Sequence, residues 1–147
     1  MNHRIIRIFI VGILLVIFHE PVQSQEYKIS GTIHNIKENE DECIFYVYLL
    51  TEETFEKPYT GIKEVKNEAG ENQNPIDFEF KNVSKGTYGL RCFHDLNDNG
   101  KLDRFLAIPK EPWTLSWKNN EKHIPPDFED ISFKVDGNVE VDLYMDN

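Results

Sequence analysis

Oxygen-bearing side chains recur at alternate positions through the stretch Asp95-Leu96-Asn97-Asp98-Asn99-Gly100-Lys101-Leu102-Asp103, a spacing suited to a hard cation. In a calcium loop of the EF-hand kind, residues one, three and five give side-chain oxygens. The sixth is Gly, the seventh gives its carbonyl, and the ninth binds directly or through water. Asp95, Asn97, Asn99, Gly100, Lys101 and Asp103 occupy those places. The twelfth place, where an EF-hand carries a bidentate Glu, is Leu106, and the residues before Asp95 alternate as a strand does. The loop is therefore expected to join two strands and to hold calcium (Ca2+) through Asp95, Asn97, Asn99, Asp103 and the Lys101 carbonyl. With two charged carboxylates the affinity should be weak, a Kd of roughly 10⁻⁴ to 10⁻³ M. A metal-free hairpin accounts for much of the same composition, since Asn-Gly tolerates positive φ and Asp and Asn bond back to their own backbone.

Other candidates lie close by. His94 could orient the loop or serve as a structural hydrogen-bonding residue at the end of its strand. Glu111 could fold back to supply the missing carboxylate, pair with Lys110 or Lys118, or stay in solvent. Trp113 and Trp117 offer flat apolar area, either for stacking a sugar or an apolar ligand or for packing over the sheet. Nothing assembles into catalytic machinery. His34, His94 and His123 are scattered, and there is no Gly-x-Ser-x-Gly elbow, Cys-x-x-Cys or His-x-x-x-His pair. The protein is not expected to be an enzyme.

The N-terminus reads as an export signal: Arg4 and Arg7, an apolar run over residues 8–18, and small residues at a Val22-Gln23-Ser24 cleavage site. Residues 1–24 are taken as the signal peptide and 25–147 as one domain, periplasmic or secreted, with no membrane span after cleavage. The 26 acidic and 16 basic residues give a formal charge of −10. That balance argues against nucleic acid and against anionic lipid surfaces, because no basic stripe is evident to neutralise phosphates. Export would let Cys43 and Cys92 form a lasting disulfide, but two thiols buried as small hydrophobes fit equally well.

The elements that must position the loop are strands. Alternation marks 27–33, and 43–50 is a continuous apolar and aromatic run whose second face carries Tyr46 and Tyr48. Residues 51–74 are charged and weakly patterned, with room for one short strand. Ile76, Phe78 and Phe80 alternate with charges, and 87–94 feeds the loop. A short return strand is expected over 105–108, and an extended piece would place Trp113, Leu115 and Trp117 on one face. Ile131, Phe133 and Val135 suggest a strand joined by a hairpin turn at 136–138 to a last strand bearing Val139, Val141 and Leu143. Six to eight short strands in about 120 residues indicate an all-β sandwich.

The chain from Phe78 to Leu143 resembles the domain-of-unknown-function 2141 family, exported bacterial domains. The resemblance rests on Phe80, Val83, Gly86 and Tyr88, then His94, Asp95, Asn97, Asn99, Gly100 and Asp103. Pro109, Glu111, Phe128, Asp130, Phe133 and Val135 continue it. Ala107 stands where the family usually has Gly, and Pro112-Trp113-Thr114 replaces a Gly-aromatic-Gly stretch. The resemblance implies a single transthyretin-like or immunoglobulin-like β-sandwich of about seven strands, and no activity. The expectation for function is an exported module whose calcium-type loop contacts a protein or glycan at the cell envelope. A periplasmic carrier of a small sugar or apolar ligand is the alternative.

Overall fold

The computed structural model describes residues 25–36, 43–57, 60–61, 63–69, 75–106, 108–118, 121–122 and 124–146. The expected export signal, His123, Tyr59 and Ile62 lie outside the described residues. In chain order the elements are β1 (Glu26–His34), β2 (Cys43–Leu50), α1 (Glu52–Phe55), β3 (Lys63–Ala69), β4 (Ile76–Ser84) and β5 (Gly86–Asp95). There follow β6 (Arg104–Phe105), β7 (Ile108–Pro109), β8 (Trp113–Leu115), α2 (Phe128–Ile131), β9 (Phe133–Val135), β10 (Val139–Glu140) and β11 (Leu143–Tyr144). The fold is all-β as expected. It has more strand segments than the expected seven, because the later strands are only two or three residues long.

Two sheets face each other. In one, β1 pairs antiparallel with β4 on one side and parallel with β10 and β11 on the other. The second runs β3-β2-β5-β8, all antiparallel, and β9 pairs with the Gly86 end of β5. Between the sheets lie Ile29, Ile33, Phe45, Val47, Leu49, Phe78, Phe80, Leu90, Cys92 and Leu143. Fully burying such side chains stabilises by roughly 1.5–3 kcal/mol each relative to leaving them in water. A second apolar cluster covers the outer face of β2 and β5, where Tyr48, Leu50, Phe55, Phe93, Leu102, Leu115 and Ile131 pack with Tyr46, Trp113 and Trp117. That cluster explains why 43–50 reads as a continuous apolar run: both faces of β2 are covered. Tyr48, on the second face of β2, is buried.

Two expectations are corrected and a third point, left open by the sequence, is decided. Ile131 belongs to the single-turn helix α2 rather than to a strand, with Asp127 and Asp130 forming a reciprocal capping box at its start. The 136–138 turn does not close a hairpin, since β9 pairs with β5 while β10 crosses to the other sheet beside β1. Alternation reports which face is buried and says nothing about which strand is the partner. The third concerns the cysteines. Cys92 is opposite Val47, and Cys43 lies four positions further along β2, opposite Ala69. That offset is roughly 13 Å of strand, too far for the Cα separation a disulfide needs. Cys92 is a buried free thiol whose ionisation burial pushes well above the ordinary range.

Candidate functional site

The loop begins inside the sheet. His94 and Asp95 remain in register with Phe45 and Ile44 of β2, and they are 3% and 2% exposed. His94 stacks on Phe45, with centroids 4.5 Å apart and planes 19° apart, so it finishes the inner core. A carboxylate buried this deeply needs partners. Asp95 finds them in the loop: Asn99 N–H donates to Oδ1 at 3.2 Å and Gly100 N–H to Oδ2 at 2.7 Å. Positive φ at Asp98 (53°) and Gly100 (73°) turns the backbone so that those donors face inward.

The amides then converge on one carboxylate. Asn97 Nδ2 donates to Asp103 Oδ2 at 2.7 Å and Asn99 Nδ2 to Asp103 Oδ1 at 3.1 Å. Asn99 Oδ1 accepts from Lys101 N–H at 2.8 Å. Glu111, 5% exposed, folds back onto the loop rather than toward lysine or solvent. Its Oε1 accepts from Leu96 N–H at 2.9 Å and its Oε2 from Asp103 N–H at 2.8 Å. One side chain thus clamps both ends of the loop, and Lys110 N–H donates to Asp103 O at 2.8 Å beside it.

The structure therefore brings together Asp95, Asn97, Asn99, Lys101 and Asp103, with Glu111 behind them. The donor set is all oxygen, which suits calcium or magnesium rather than zinc. It is thin in charge: among the described residues no three His, Cys, Asp or Glu side chains form a metal-holding group. A cation would draw on amide and main-chain oxygens as well. Asn97 and Asn99 now point Nδ2 at Asp103; half a turn of the Asn97 amide exchanges that nitrogen for Oδ1 with no change of shape, whereas the same turn at Asn99 gives up the bond from Lys101 N–H.

Trp113 and Trp117 are half-buried against the outer cluster. Trp117 also lines a cleft of about 300 Å³ with Tyr144, Lys122, Asp142, Asn35 and Thr114, and its indole N–H is buried with no acceptor among the described residues.

Two features were not foreseen. Thr32, His34 and Asp142 form a polar cluster in which Thr32 Oγ1 donates to Asp142 Oδ1 at 2.7 Å and lies 2.6 Å from His34 Nε2. The Thr32 hydroxyl first of all holds the Asp142 carboxyl below its usual range; burial opposes it, and the Thr32 N–H and His34 add smaller lowering effects. Thr32 and Asp142 are 110 positions apart, and no local pattern links them. The other feature is the hairpin of β6 and β7, whose Phe105, Leu106 and Ile108 point into solvent. The signal for it was present as an apolar run between Arg104 and Lys110, which reads equally as a buried strand.

A family model described as an uncharacterised protein conserved in bacteria (DUF2141) matches residues 32–142. No curated protein and no solved structure matches the chain.

Proposed function

The chain belongs to the DUF2141 family of uncharacterised bacterial proteins, and on that premise we propose that it is an exported, non-catalytic module whose loop 95–103 binds calcium. The ion would fix the loop for contact with a protein or glycan at the cell envelope. The observation that carries the reading is the convergence of the Asn97 and Asn99 amides on both oxygens of Asp103, at 2.7 and 3.1 Å. A plain Asn-Gly turn needs neither amide there. Asp95, Asp103 and the Lys101 carbonyl would supply the remaining oxygens. Glu111 already holds the backbone N–H groups of Leu96 and Asp103 at the two ends of the loop.

Thermal unfolding of residues 25–147 with excess chelator, then with calcium or magnesium, tests this. With a Kd on the order of 0.1 mM, about 1 mM calcium stabilises the native state by roughly 1.4 kcal/mol, a rise of about 4 to 8 °C. Asp103→Asn keeps the side chain's size but removes its charge and one acceptor oxygen, and should abolish the rise. No calcium-specific rise, with direct titration also silent, would reduce the loop to a polar hairpin.

The second reading, a carrier of a small sugar or apolar ligand, is favoured by the cleft beside Trp117 and its unanswered indole donor. A shift in tryptophan fluorescence with one glycan or lipid, independent of calcium, would select it.

A further inference from the structure

On one side of the sandwich the two sheets are drawn together where β8 meets the end of the chain. Trp113 and Asp146 form an isolated bridge there, with Asp146 N–H donating to Trp113 O at 3.4 Å. Asn35 leaves β1 beside them at φ +60°, a left-handed turn that asparagine adopts more readily than most residues. The cleft of about 300 Å³ at this junction takes its walls from separate stretches of chain: Asn35, Thr114 of β8, Trp117 with Lys122, and Asp142 with Tyr144. Ligand pockets run from about 300 to 1,000 Å³, so a cleft at the small end suits a single ring rather than an acyl chain or a peptide.

The lining narrows the class of ligand. Tyr144 is 39% exposed and is held from behind, where His34 stacks on it with centroids 4.9 Å apart and planes 15° apart. Thr32 Oγ1 in turn lies 2.6 Å from His34 Nε2. A fixed, accessible ring of this kind offers a flat apolar face. Trp117 adds a second aromatic wall and a buried indole N–H that has no acceptor among the described residues. A buried donor left in that state calls for an oxygen from outside the chain. Asp142 uses Oδ1 for Thr32 N–H and Oγ1, while its Oδ2 is 3.8 Å from His34 Nε2, longer than a hydrogen bond, and keeps capacity to accept.

Charge favours a neutral ligand. Lys122 Nζ is already paired with Asp146. Lys118 and Lys122 stand against Glu121, Asp142 and Asp146 around the cleft, two positive charges against three negative. An anion would meet that acidic balance. A cation would leave the indole N–H without an acceptor, and a purely apolar ligand would strip water from the Asp142 carboxylate without replacing it. A sugar ring carries an apolar C–H face together with hydroxyls that both donate and accept. We propose that this cleft binds a neutral sugar ring, its apolar face laid on Tyr144 and its hydroxyls shared between the Trp117 indole N–H and Asp142 Oδ2. The proposal rests on the carrier reading above, to which it adds the ligand's class and the groups that hold it, and it is independent of any ion in loop 95–103.

Isotope-labelled residues 25–147, which contain every described strand and both cores, should be titrated with glucose, galactose, mannose and N-acetylglucosamine. Cyclohexanol, a ring with a single hydroxyl, and choline serve as the apolar and cationic probes. The chain has two tryptophans and therefore two indole N–H signals, which Trp113→Phe assigns. At least one sugar should move the Trp117 signal saturably and leave that of Trp113 in place. Trp117→Phe keeps an aromatic wall and removes the donor, so it should bind that sugar about fivefold more weakly, the scale of one hydrogen bond. Tyr144→Ala should lose on the order of tenfold with the aromatic face, while still unfolding cooperatively. If cyclohexanol or choline moves the Trp117 signal and no sugar does, the sugar assignment falls and the carrier reading stands. If none of these probes moves it, both fall. A sugar that binds both variants as tightly as wild type sits elsewhere on the protein, which would overturn the assignment of the cleft.

Discussion

The seam where β10 and β11 lie along β1 is closed by residues distant in sequence and the loop that follows β5 by near ones, and the two closures use opposite physics. At the seam, backbone meets backbone. Val141 N–H donates to Ser30 O and Met145 N–H to His34 O, and a Cβ placed on Gly31 would fall 1.9 Å from Val141 O. In the loop the closing groups are carboxylates bonded to N–H groups. Steric closure admits one arrangement under any solvent condition. Polar closure can be retuned by whatever competes for those oxygens, a proton or a cation.

The largest expected effect breaks the seam. Gly31→Ala puts a methyl group into a backbone carbonyl and within 2.9 Å of the Phe78 ring, so the strands must part. Overpacking of this severity should destabilise by about 3 kcal/mol or more in urea unfolding. A loss under about 1 kcal/mol would show that the seam is looser than its geometry.

A smaller effect belongs to the loop. Glu111→Ala leaves the Leu96 and Asp103 N–H groups without their acceptor, and the expected loss is about 2 kcal/mol. Hydrogen exchange at those two amides should quicken before the rest of β5 opens. Glu111→Gln keeps an acceptor oxygen for one of the two and should lose less. Equal losses for both variants would mean that the carboxylate acts through its charge rather than as a clamp.

The same contrast explains what was legible in the sequence. β2 was read to the residue because eight consecutive apolar and aromatic side chains allow little else, and Asp95 to Asp103 was read as a loop because its turn chemistry is local. The placement of β10 and β11 was not legible. Val139, Val141 and Leu143 alternate correctly for a strand, but only the packing of Val141 against Gly31 shows that they lie parallel to β1. Ile131 failed for a related reason. Its apolar spacing from Phe133 fits a strand, while the Asp127–Asp130 capping box starts a helix first. Glu111 was open because nothing local chooses between a lysine and two amides on the far side of a loop.

The seam carries one adjustable rung, and it sharpens the comparison most finely. Asp142 Oδ1 accepts from both Thr32 N–H at 3.2 Å and Thr32 Oγ1 at 2.7 Å, and His34 Nε2 lies 3.8 Å from Asp142 Oδ2. These contacts lower the folded-state pKa of Asp142 below the ordinary value of 3.8. The sign follows: the folded form holds the carboxylate more firmly than the unfolded chain does, so this stabilisation is complete above pH 3.8 and is lost as pH falls through the lower folded value. Asp142 is 41% exposed, so solvent screening keeps the effect to roughly 0.5 kcal/mol or less. Asp142→Asn should therefore unfold slightly earlier than wild type at neutral pH, and the two melting curves should converge in acid. A gap that widens in acid would show that the Thr32 contacts do not favour the charged form, and the seam would then be closed by its backbone contacts alone.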